Sequence, residues 1–580
     1  MERRLLLVFA LTFLVILLFQ PLLKKFGPQP PAKPQSSQAQ PAANPPQPSS
    51  AGGAVAGNPA SRASTPRAAV NKTPVVPANK QASSESETVI ENGLYRIVFT
   101  NRGGRVKSWV LKKWDDEKGR PLELVNQAAA EKYGYPLSLW TYDENLRNKL
   151  NSALYVVTSS GSSAPAEIRF EYSDGDGVSV QKTFKFDHSY VVGVQTAVEV
   201  KGSEVTAFPM WPSGFGDELT ASAFAASQIS FQFDSKVERL AVKKINGGGT
   251  LPGPFHWAGV SDQYFAAVFV PQDPQNAAMV TLHNPLEIPH STDPNNKQMD
   301  KVDVLGAAVG SLKGSTTARL YVGPKSLSDL ESVPVPGITG AEADLRQIVD
   351  FGWLGYIARP LFLWLKWTTK YVPNWGWAIV IQTIIINLAL LPLRLSQMKS
   401  MLKMQRVAPQ IKAIQEKYKK YSLRDPRKAE MNQEISALYK KEGVNPVGGC
   451  LPLIIQMPFL FAYYRMLGVA IDLRHAPWLW VHDLSAPDPR YVLPIAIVVT
   501  MVVMQRMTPQ AGMDPAQQKM MNIMMPLMLG YISFNLAAGL CLYWAVGQLI
   551  GIVQQMALNR SSLGRQMREM MEKRARKKEK

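Results

Sequence analysis

Residues that could carry bond-making chemistry are few and scattered in this sequence. The two cysteines, Cys450 and Cys541, both fall in apolar segments, so neither a disulfide framework nor a cysteine metal site is expected. The six histidines form no HExxH pattern, and neither a CxxC pair nor a phosphate-binding loop occurs in the sequence. The sequence therefore predicts no enzyme, no cofactor and no metal site.

Polar residues inside long apolar stretches are more informative. Gln382, Asn387, Gln456 and Arg465 lie in such stretches. Polar side chains at membrane depth face a bundle interior or a water-filled recess, where they meet substrate or hold helices together. Arg465 lies late in its stretch, so it either adds positive charge to a recess or snorkels to the interface, and its position favours snorkelling.

Membrane-spanning helices would have to position these residues. The run from Leu5 to Leu23 can span a bilayer, and Lys24 follows it without a small-residue cleavage site, which favours an uncleaved anchor at 1–25 over a signal peptide. A Trp-rich amphipathic segment at 350–372 predicts a helix at the membrane interface. Further apolar runs predict spans at 375–395, 447–469, 491–507, 522–538 and 539–557.

Two segments of different character separate the anchor from the other runs. Residues 26–87 are rich in Pro, Ala, Ser and Gln and poor in large apolar side chains, which predicts a disordered linker. Residues 88–340 contain short alternating stretches bounded by turn residues and predict an all-β domain, with an exposed loop at 243–254 that contains Gly247, Gly248 and Gly249. No catalytic constellation stands out there, so a binding or scaffold role is favoured.

The distribution of positive charge predicts the orientation. The net charge is +19, but the Lys and Arg residues flank apolar runs and form no aromatic-interleaved patch of the kind that binds nucleic acid. They crowd the segment 400–445, whose spacing predicts a helical hairpin, and the tail 559–580. Both are expected in the cytoplasm together with the two termini. The β domain is then periplasmic, and the chain crosses the membrane six times.

Several motifs of the membrane half occur together and in order. The longest is Asn445-Pro446-Val447-Gly448-Gly449-Cys450-Leu451-Pro452-Leu453-Ile454-Ile455-Gln456-Met457-Pro458. The others are Asn374-Trp375-Gly376, Leu391-Pro392-Leu393, His482-Asp483-Leu484-Ser485, Asp514-Pro515 and Gly539-Leu540-Cys541-Leu542-Tyr543-Trp544, with Gln554-Gln555 beyond. This set strongly resembles the YidC family of membrane insertases, and the leading anchor with a large β domain resembles its Gram-negative form.

The resemblance implies a fold and a function. The fold is a membrane α-helical bundle of six transmembrane helices, with a five-helix insertase core at 373–558, plus a periplasmic β-sandwich related to sugar mutarotases. The function is to insert, fold and assemble membrane proteins, alone or with the Sec translocon, through a hydrophilic intramembrane groove. The expected partners are nascent membrane proteins, the ribosome, the Sec translocon, the signal recognition particle receptor and the lipid bilayer of the bacterial inner membrane.

The resemblance also assigns residues to the groove. Thr383 matches a groove-lining position, and Tyr543 and Trp544 match a position where an aromatic side chain meets substrate, with interfacial or core packing as the alternative. Asn387 stands where the family has a membrane-embedded arginine, and an asparagine cannot attract an acidic substrate segment by charge. Bonding within or between helices is the alternative role for Gln382, Thr383 and Asn387.

Two other functions fit parts of the sequence. A secondary transporter or channel would need inverted repeats, matching broken helices or paired intramembrane charges, and the sequence contains none of them. A membrane-anchored carbohydrate enzyme would fit a mutarotase-like domain, but His188, His256, His283 and His290 are scattered and the later spans would have no purpose. Membrane protein insertion is therefore the expected function.

Overall fold

The computed structural model of the chain describes residues 79–233, 236–290, 298–340, 343–418, 420–421, 425–444, 451–507 and 515–562, together with 565 and 569. The anchor expected at 1–25 lies outside these residues. So does the expected linker at 26–87, apart from residues 79–87, and most of the basic tail.

The first half of the described chain is built from antiparallel strands. They are β1 (Glu87–Glu91), β2 (Tyr95–Thr100), β3 (Arg105–Asp115), β4 (Pro121–Glu123), β5 (Leu139–Trp140), β6 (Val156–Ser159), β7 (Ala166–Ser173), β8 (Val178–Phe186), β9 (Val191–Val200), β10 (Ser203–Glu204), β11 (Phe208–Trp211), β12 (Gln228–Phe233), β13 (Lys236–Leu240), β14 (Gly249–Pro252), β15 (Trp257–Ser261), β16 (Phe265–Pro271), β17 (Ala277–Pro289), β18 (Met299–Ser311) and β19 (Thr316–Pro324).

These strands form a large sheet that is covered by two smaller ones. The large sheet has the order β13-β12-β15-β16-β19-β9-β8-β7-β6, with β10 beside β9, and the smaller sheets have the orders β14-β17-β18-β11-β5 and β1-β2-β3-β4. Strand β9 alternates between buried and more exposed residues, as expected for a strand with one face on a core. Phe99 of β2 packs on Phe184 of β8 with ring centroids 5.3 Å apart, and this contact joins two layers. The domain is a β-sandwich, which confirms the expected class.

One detail of the domain differs from expectation. Gly247 and Gly248 are exposed, as predicted for a loop. Gly249, however, begins the edge strand β14 and pairs with Thr281 of β17. Glycine and proline have low strand propensity, but here backbone pairing to an existing strand decides the conformation.

Short helices connect strands of the sandwich or follow its last strand, and longer helices form the second half of the molecule. The short ones are α1 (Gln127–Tyr133), α2 (Glu144–Ser152), α3 (Ala221–Phe224) and α4 (Leu327–Glu331). The longer ones are α5 (Gly355–Thr369), α6 (Trp375–Ala389), α7 (Leu391–Lys417), α8 (Arg427–Lys441), α9 (Leu451–Val469), α10 (Val492–Met507), α11 (Pro515–Ser533) and α12 (Ala538–Arg560).

The longer helices pack into a bundle. Helix α12 lies against α6 and α10, α10 also packs on α11, and α5 covers α9 and α6. By length and composition, one described helix, α12, could cross a membrane by itself, and Trp375–Ala389, Val492–Met507 and Asn522–Ser533 are shorter apolar helices. The span expected at 375–395 is divided at Leu390, where α6 ends and α7 begins, and Pro392 falls in the first turn of α7 because it needs no N–H partner there.

Helix α7 extends well past the apolar part of the bundle and pairs with α8. Their contact is a small hydrophobic cluster made of Val407, Ile411 and Val444, with Met404, Ile435, Leu438 and Tyr439 around it. The Glu434 carboxylate accepts hydrogen bonds from Lys417 Nζ and Tyr418 Oη, both at 2.8 Å. The two helices therefore pack against each other as a hairpin.

Candidate functional site

Helix α6 carries three of the polar residues predicted at membrane depth, and its first turn is tightly fixed. Asn374 Oδ1 caps the helix by accepting from Trp377 N at 3.1 Å, and its Nδ2 donates to Pro477 O at 3.0 Å. Gly376 lies directly beneath the Trp478 ring, where any side chain would collide with the indole. These contacts set the depth and rotation of α6, so its polar face points into the bundle.

Gln382 is fully buried and joins α6 to two other helices. Its Nε2 donates to Leu361 O of α5 at 3.0 Å, and its Oε1 accepts from the Tyr463 hydroxyl of α9. The ring of Tyr463 stacks on Tyr543 of α12, with centroids 4.0 Å apart and an interplanar angle of 14°. We name Gln382, Tyr463 and Tyr543 the Tyr463 stack, and it joins α6, α9 and α12 in the bundle interior.

Thr383 and Asn387 follow on the same face of α6. Thr383 Oγ1 donates to Ile379 O at 2.7 Å, and Asn387 Nδ2 donates to Thr383 O at 2.8 Å, so both bond within their own helix. Both residues are almost completely buried. This is the intrahelical alternative that the sequence left open, and contact of these residues with substrate stays a prediction.

Arg394 is the side chain that sequence reasoning missed. It lies seven residues after Asn387, beyond the break at Leu390, and its Nη2 donates to Asn387 Oδ1 at 3.2 Å. Gln554 of α12 completes the group because its Nε2 donates to Asn387 O at 3.2 Å. We name Asn387, Arg394 and Gln554 the Asn387 cluster.

Two features of the Asn387 cluster leave capacity for another partner. Gln554 Oε1 is buried without a hydrogen-bond partner among the described residues. Within the described part of the chain, the hydrogen bond to Asn387 is the only polar bond that Arg394 makes, and no carboxylate pairs with its guanidinium. A half-buried cation whose only partner is a neutral amide can still accept an anion.

Space for the guanidinium comes from Gly551 of α12. A Cβ atom at this position would lie 2.7 Å from Arg394 Nη1 and 2.7 Å from Met504 Cε. A side chain at position 551 would therefore require the ends of Arg394 and Met504 to shift, and glycine leaves this space to the guanidinium. The available sequence signal was a charged residue within the span predicted at 375–395, which by default marks a functional position.

The remaining predicted site residues lie elsewhere. Tyr543 is buried in the Tyr463 stack, whereas Trp544 and Gln456 are half-buried, on α12 and α9. Arg465 lies outside the Asn387 cluster, and its Nη2 donates to Asp350 Oδ2 at 3.1 Å and to Asp350 O at 3.0 Å. The structure thus brings Gln382, Thr383 and Asn387 together and separates Arg465 from them.

Comparisons with known proteins cover both halves of the chain. Two family models match, the 60Kd inner membrane protein over residues 367–565 and the YidC periplasmic domain over residues 87–364. The Membrane protein insertase YidC of Syntrophus aciditrophicus is 30% identical over 574 residues, covering 97% of this chain and 100% of the relative. That of Geobacter metallireducens is 32% identical over 523 residues, covering 86% and 91%.

Among solved structures, one described as an active YidC insertase with the first transmembrane domain resolved covers 82% of this chain and 94% of its own, with 19% identity and a TM-score of 0.35. A putative aldose 1-epimerase from Escherichia coli covers 42% of this chain and 100% of its own, with 10% identity and a TM-score of 0.27.

The length and identity of the match to the curated relatives place this chain among the membrane protein insertases. Within that class it belongs to the YidC family. It is a protein of the bacterial inner membrane, and its β-sandwich is the periplasmic domain of the family.

Proposed function

We propose that this insertase receives the polar flank of its substrate in a hydrophilic recess at the Asn387 cluster, with Arg394 as the charged group. The observation that carries the proposal is the bond of Arg394 Nη2 to the neutral Asn387 Oδ1 at 3.2 Å. Arg394 then supplies the positive charge that Asn387 itself lacks, and Asn387 holds the guanidinium in place. The proposal concerns the route, since insertion itself follows from the family.

The physical basis is the cost of moving polar groups through hydrocarbon. Each unsatisfied backbone or charged group costs several kcal/mol in the dry bilayer core, and a polar recess shortens that path. A substrate carboxylate would form a charge-assisted bond with Arg394, and Gln554 Oε1 would accept from a substrate N–H. The apolar segment of the substrate then leaves sideways into lipid, because hydrophobic burial favours that state.

Apolar side chains would guide that exit. Trp544, Gln456 and the Met-rich part of α11 are candidates, since methionine adapts its shape to many partners. Met524 and Met528 of α11 are both more than half exposed on the bundle surface. A surface of this kind suits substrates whose sequences differ.

The proposed topology has six spans with both termini in the cytoplasm. The expected anchor at 1–25 supplies the first span, and α6, α9, α10, α11 and α12 supply the others. The α7–α8 hairpin and the basic tail are then cytoplasmic, which agrees with the positive-inside rule. In this position they are proposed to meet the ribosome, the signal recognition particle receptor and the Sec translocon.

The test is Arg394→Gln in the full chain reconstituted in proteoliposomes, with two matched substrates whose translocated tails differ only in Asp or Asn. Loss of a charge-assisted bond of about 1.5–3 kcal/mol predicts that insertion of the acidic tail slows by about tenfold or more. Insertion of the neutral tail changes little. Lys412→Gln, an exposed position on the same helix, is the control and leaves both substrates unaffected.

Equal effects of Arg394→Gln on the two tails would contradict charge capture. Photocrosslinking tests the recess independently of charge. Probes at positions 383, 387 and 544 are expected to label a stalled nascent substrate, whereas a probe at 465 is not. Labelling at 465 with none at 387 would place the path on the other side of the bundle.

A further inference from the structure

The junction between the β-sandwich and the bundle contains a charged cluster that the route proposed for insertion does not use. Arg465 lies near the end of α9, Asp350 lies just before α5, and Arg239 lies on the edge strand β13. The three residues come from the core, the connecting segment and the periplasmic domain. The connecting segment links them. Arg465 bonds to Asp350, 115 residues away in the sequence, and Arg239 bonds to Gln347, 108 residues away.

Asp350 is the centre of this cluster. Its Oδ1 accepts from Gly352 N at 2.9 Å, and its Oδ2 accepts from Arg465 Nη2 at 3.1 Å. Gly352 has φ +69°, and a Cβ atom there would lie 3.0 Å from Arg465 Nε. The turn at Gly352 thus provides both the backbone conformation and the space for the arginine.

Arg239 ties the same segment to the periplasmic domain. Its Nη2 donates to Gln347 O at 2.7 Å. Burial by itself would raise the pKa of Asp350, but the positive charges of Arg239 and Arg465 outweigh it and the pKa is lowered. Lys325 also contributes positive charge, while burial lowers its own pKa to about 8. Asp350 is therefore ionised at neutral pH, between two guanidinium groups on different units.

A second contact holds the same end of α9. Gln263, in the turn between β15 and β16, donates from Nε2 to Gly468 O at 2.9 Å. Gly468 is three residues beyond Arg465, so the last turn of α9 is bound through the Gly468 carbonyl to the periplasmic domain and through the Arg465 side chain to the connecting segment. Two contacts on one turn fix both its position and its rotation.

That turn also positions the interior of the bundle. Tyr463, two residues before Arg465, donates to Gln382 and stacks on Tyr543. A shift of α9 along its axis by less than the rise of one residue, about 1.5 Å, would break this bond and separate the residues of the Tyr463 stack, because a hydrogen bond tolerates little lengthening. The geometry of the stack therefore depends on where the periplasmic domain holds α9.

We propose that Arg465 and Asp350 are positioning residues through which the periplasmic domain fixes the end of α9 and keeps the Tyr463 stack closed. They touch no substrate. Their effect on insertion acts through Tyr463 and Gln382, and it is independent of the charge of the substrate tail.

The experiment uses the full chain in lipid nanodiscs and proteoliposomes with Arg465→Met, Asp350→Asn and the double variant. Amide hydrogen exchange in residues 466–474 is expected to accelerate by about tenfold in each single variant, and no further in the double variant, because the two residues form one interaction. Insertion of acidic and neutral tails falls together, by about threefold. Arg465→Lys restores most of both properties because it keeps the charge.

Arg102→Met is the control, since Arg102 pairs with Glu85 at a similar distance of 3.0 Å but within the β domain. It leaves exchange in 466–474 and insertion unchanged. The main unfolding transition of the periplasmic domain stays constant in all variants, and this separates a local shift of α9 from a general loss of fold. Because Arg394→Gln affects only acidic tails, the failure of either proposal is distinguishable from failure of the other.

Unchanged exchange in Arg465→Met and Asp350→Asn would overturn the proposal. Strictly additive effects in the double variant would also overturn it, since the residues would then act separately. If Asp350→Asn yields too little folded protein, Arg465→Met and Arg465→Lys decide the question by the same exchange measurement.

Discussion

The periplasmic domain and the helical bundle each bury a basic side chain, but they treat it differently. Lys182 of β8 is fully buried, and its Nζ donates to the carbonyl oxygens of Gly103, Gly104 and Leu137 at 2.7–2.8 Å. Arg394 in the bundle has one neutral amide oxygen as its described partner. A cation that is fully satisfied stabilises a fold, whereas a cation with unused donors can still bind an anion.

The interiors around these two residues also differ in the side chains that fill them. The sandwich encloses large aromatic side chains such as Phe170, Phe184 and Trp211, which pack at high density. The polar face of α6 carries Gln382, Thr383 and Asn387, each joined to neighbours by hydrogen bonds. The sandwich interior thus packs large aromatic rings, whereas the bundle interior holds hydrogen-bonded polar groups.

Replacement of Lys182, whose hydrogen bonds are all made within the domain, is the sharpest test of this comparison. Lys182→Met leaves three buried carbonyl oxygens without a donor, and we expect the free energy of unfolding of the domain to fall by about 3 kcal/mol or more. Denaturant unfolding of the full chain, followed by tryptophan fluorescence, measures it. Lys185→Met on the same strand, where the side chain is 60% exposed, serves as the control and changes stability by less than about 0.5 kcal/mol. Similar losses in both variants would contradict the role given to the three carbonyls.

A buried acid of the sandwich predicts a pH dependence. Burial, reinforced by the charge of Asp262, raises the pKa of Glu218 from 4.5 to about 8 in the folded state. The folded state therefore binds the proton more tightly, so this stabilisation is complete below about pH 4.5 and is lost as the pH rises through about 8. We expect the domain to lose on the order of 2 kcal/mol of stability between about pH 6 and about pH 9.

Glu218→Gln tests this dependence directly. Glutamine can still accept a hydrogen bond from Phe215 N and bond to Ser227, so the fold is retained, but the side chain no longer titrates. The slope of stability against pH should flatten in this variant and persist in Glu199→Gln, which alters an exposed carboxylate on β9. A slope that survives Glu218→Gln would assign the dependence to other groups.

The smallest expected effect concerns the space around the Arg394 guanidinium. Gly551→Ala adds a methyl group 2.7 Å from Arg394 Nη1 and should displace the guanidinium from Asn387. Insertion of an acidic tail is expected to slow by about threefold, with little change in stability. Gly547→Ala, one turn earlier on α12, is the control, because its methyl group would make ordinary contacts at 3.7 Å with Asn387 Nδ2 and 3.8 Å with Thr383 Cγ2. Equal rates for the two variants would remove Arg394 from the proposed route.

Much of the architecture followed from local patterns. Alternating apolar and polar residues predicted the β-sandwich because one face of each strand packs on a core. Long apolar runs predicted the helices because a helix in a membrane needs apolar residues over its whole length. The break of the first core helix at Leu390 was missed, although Pro392 marked it. The strand at Gly249 was missed because its pairing with Thr281 is not encoded in local propensity.

The candidate site was predicted only in part. The polar residues of α6 were found because each stands out in an apolar run. Arg394 was overlooked because its relation to Asn387 runs across a helix break, and because the space it occupies is provided by Gly551, more than 150 residues later in the sequence. No periodicity within one helix reports such a relation.

The sequence by itself determined which segments are apolar and which are polar, where the charges accumulate, and which family the chain resembles. Those properties depend on the local composition of the chain and on short motifs. Only the tertiary structure decided which polar groups meet: Gln382 with Tyr463, Arg394 with Asn387, and Arg465 with Asp350. The reason is physical, since a hydrogen bond or ion pair requires two atoms within about 3 Å, and helix packing, not separation along the chain, sets that distance.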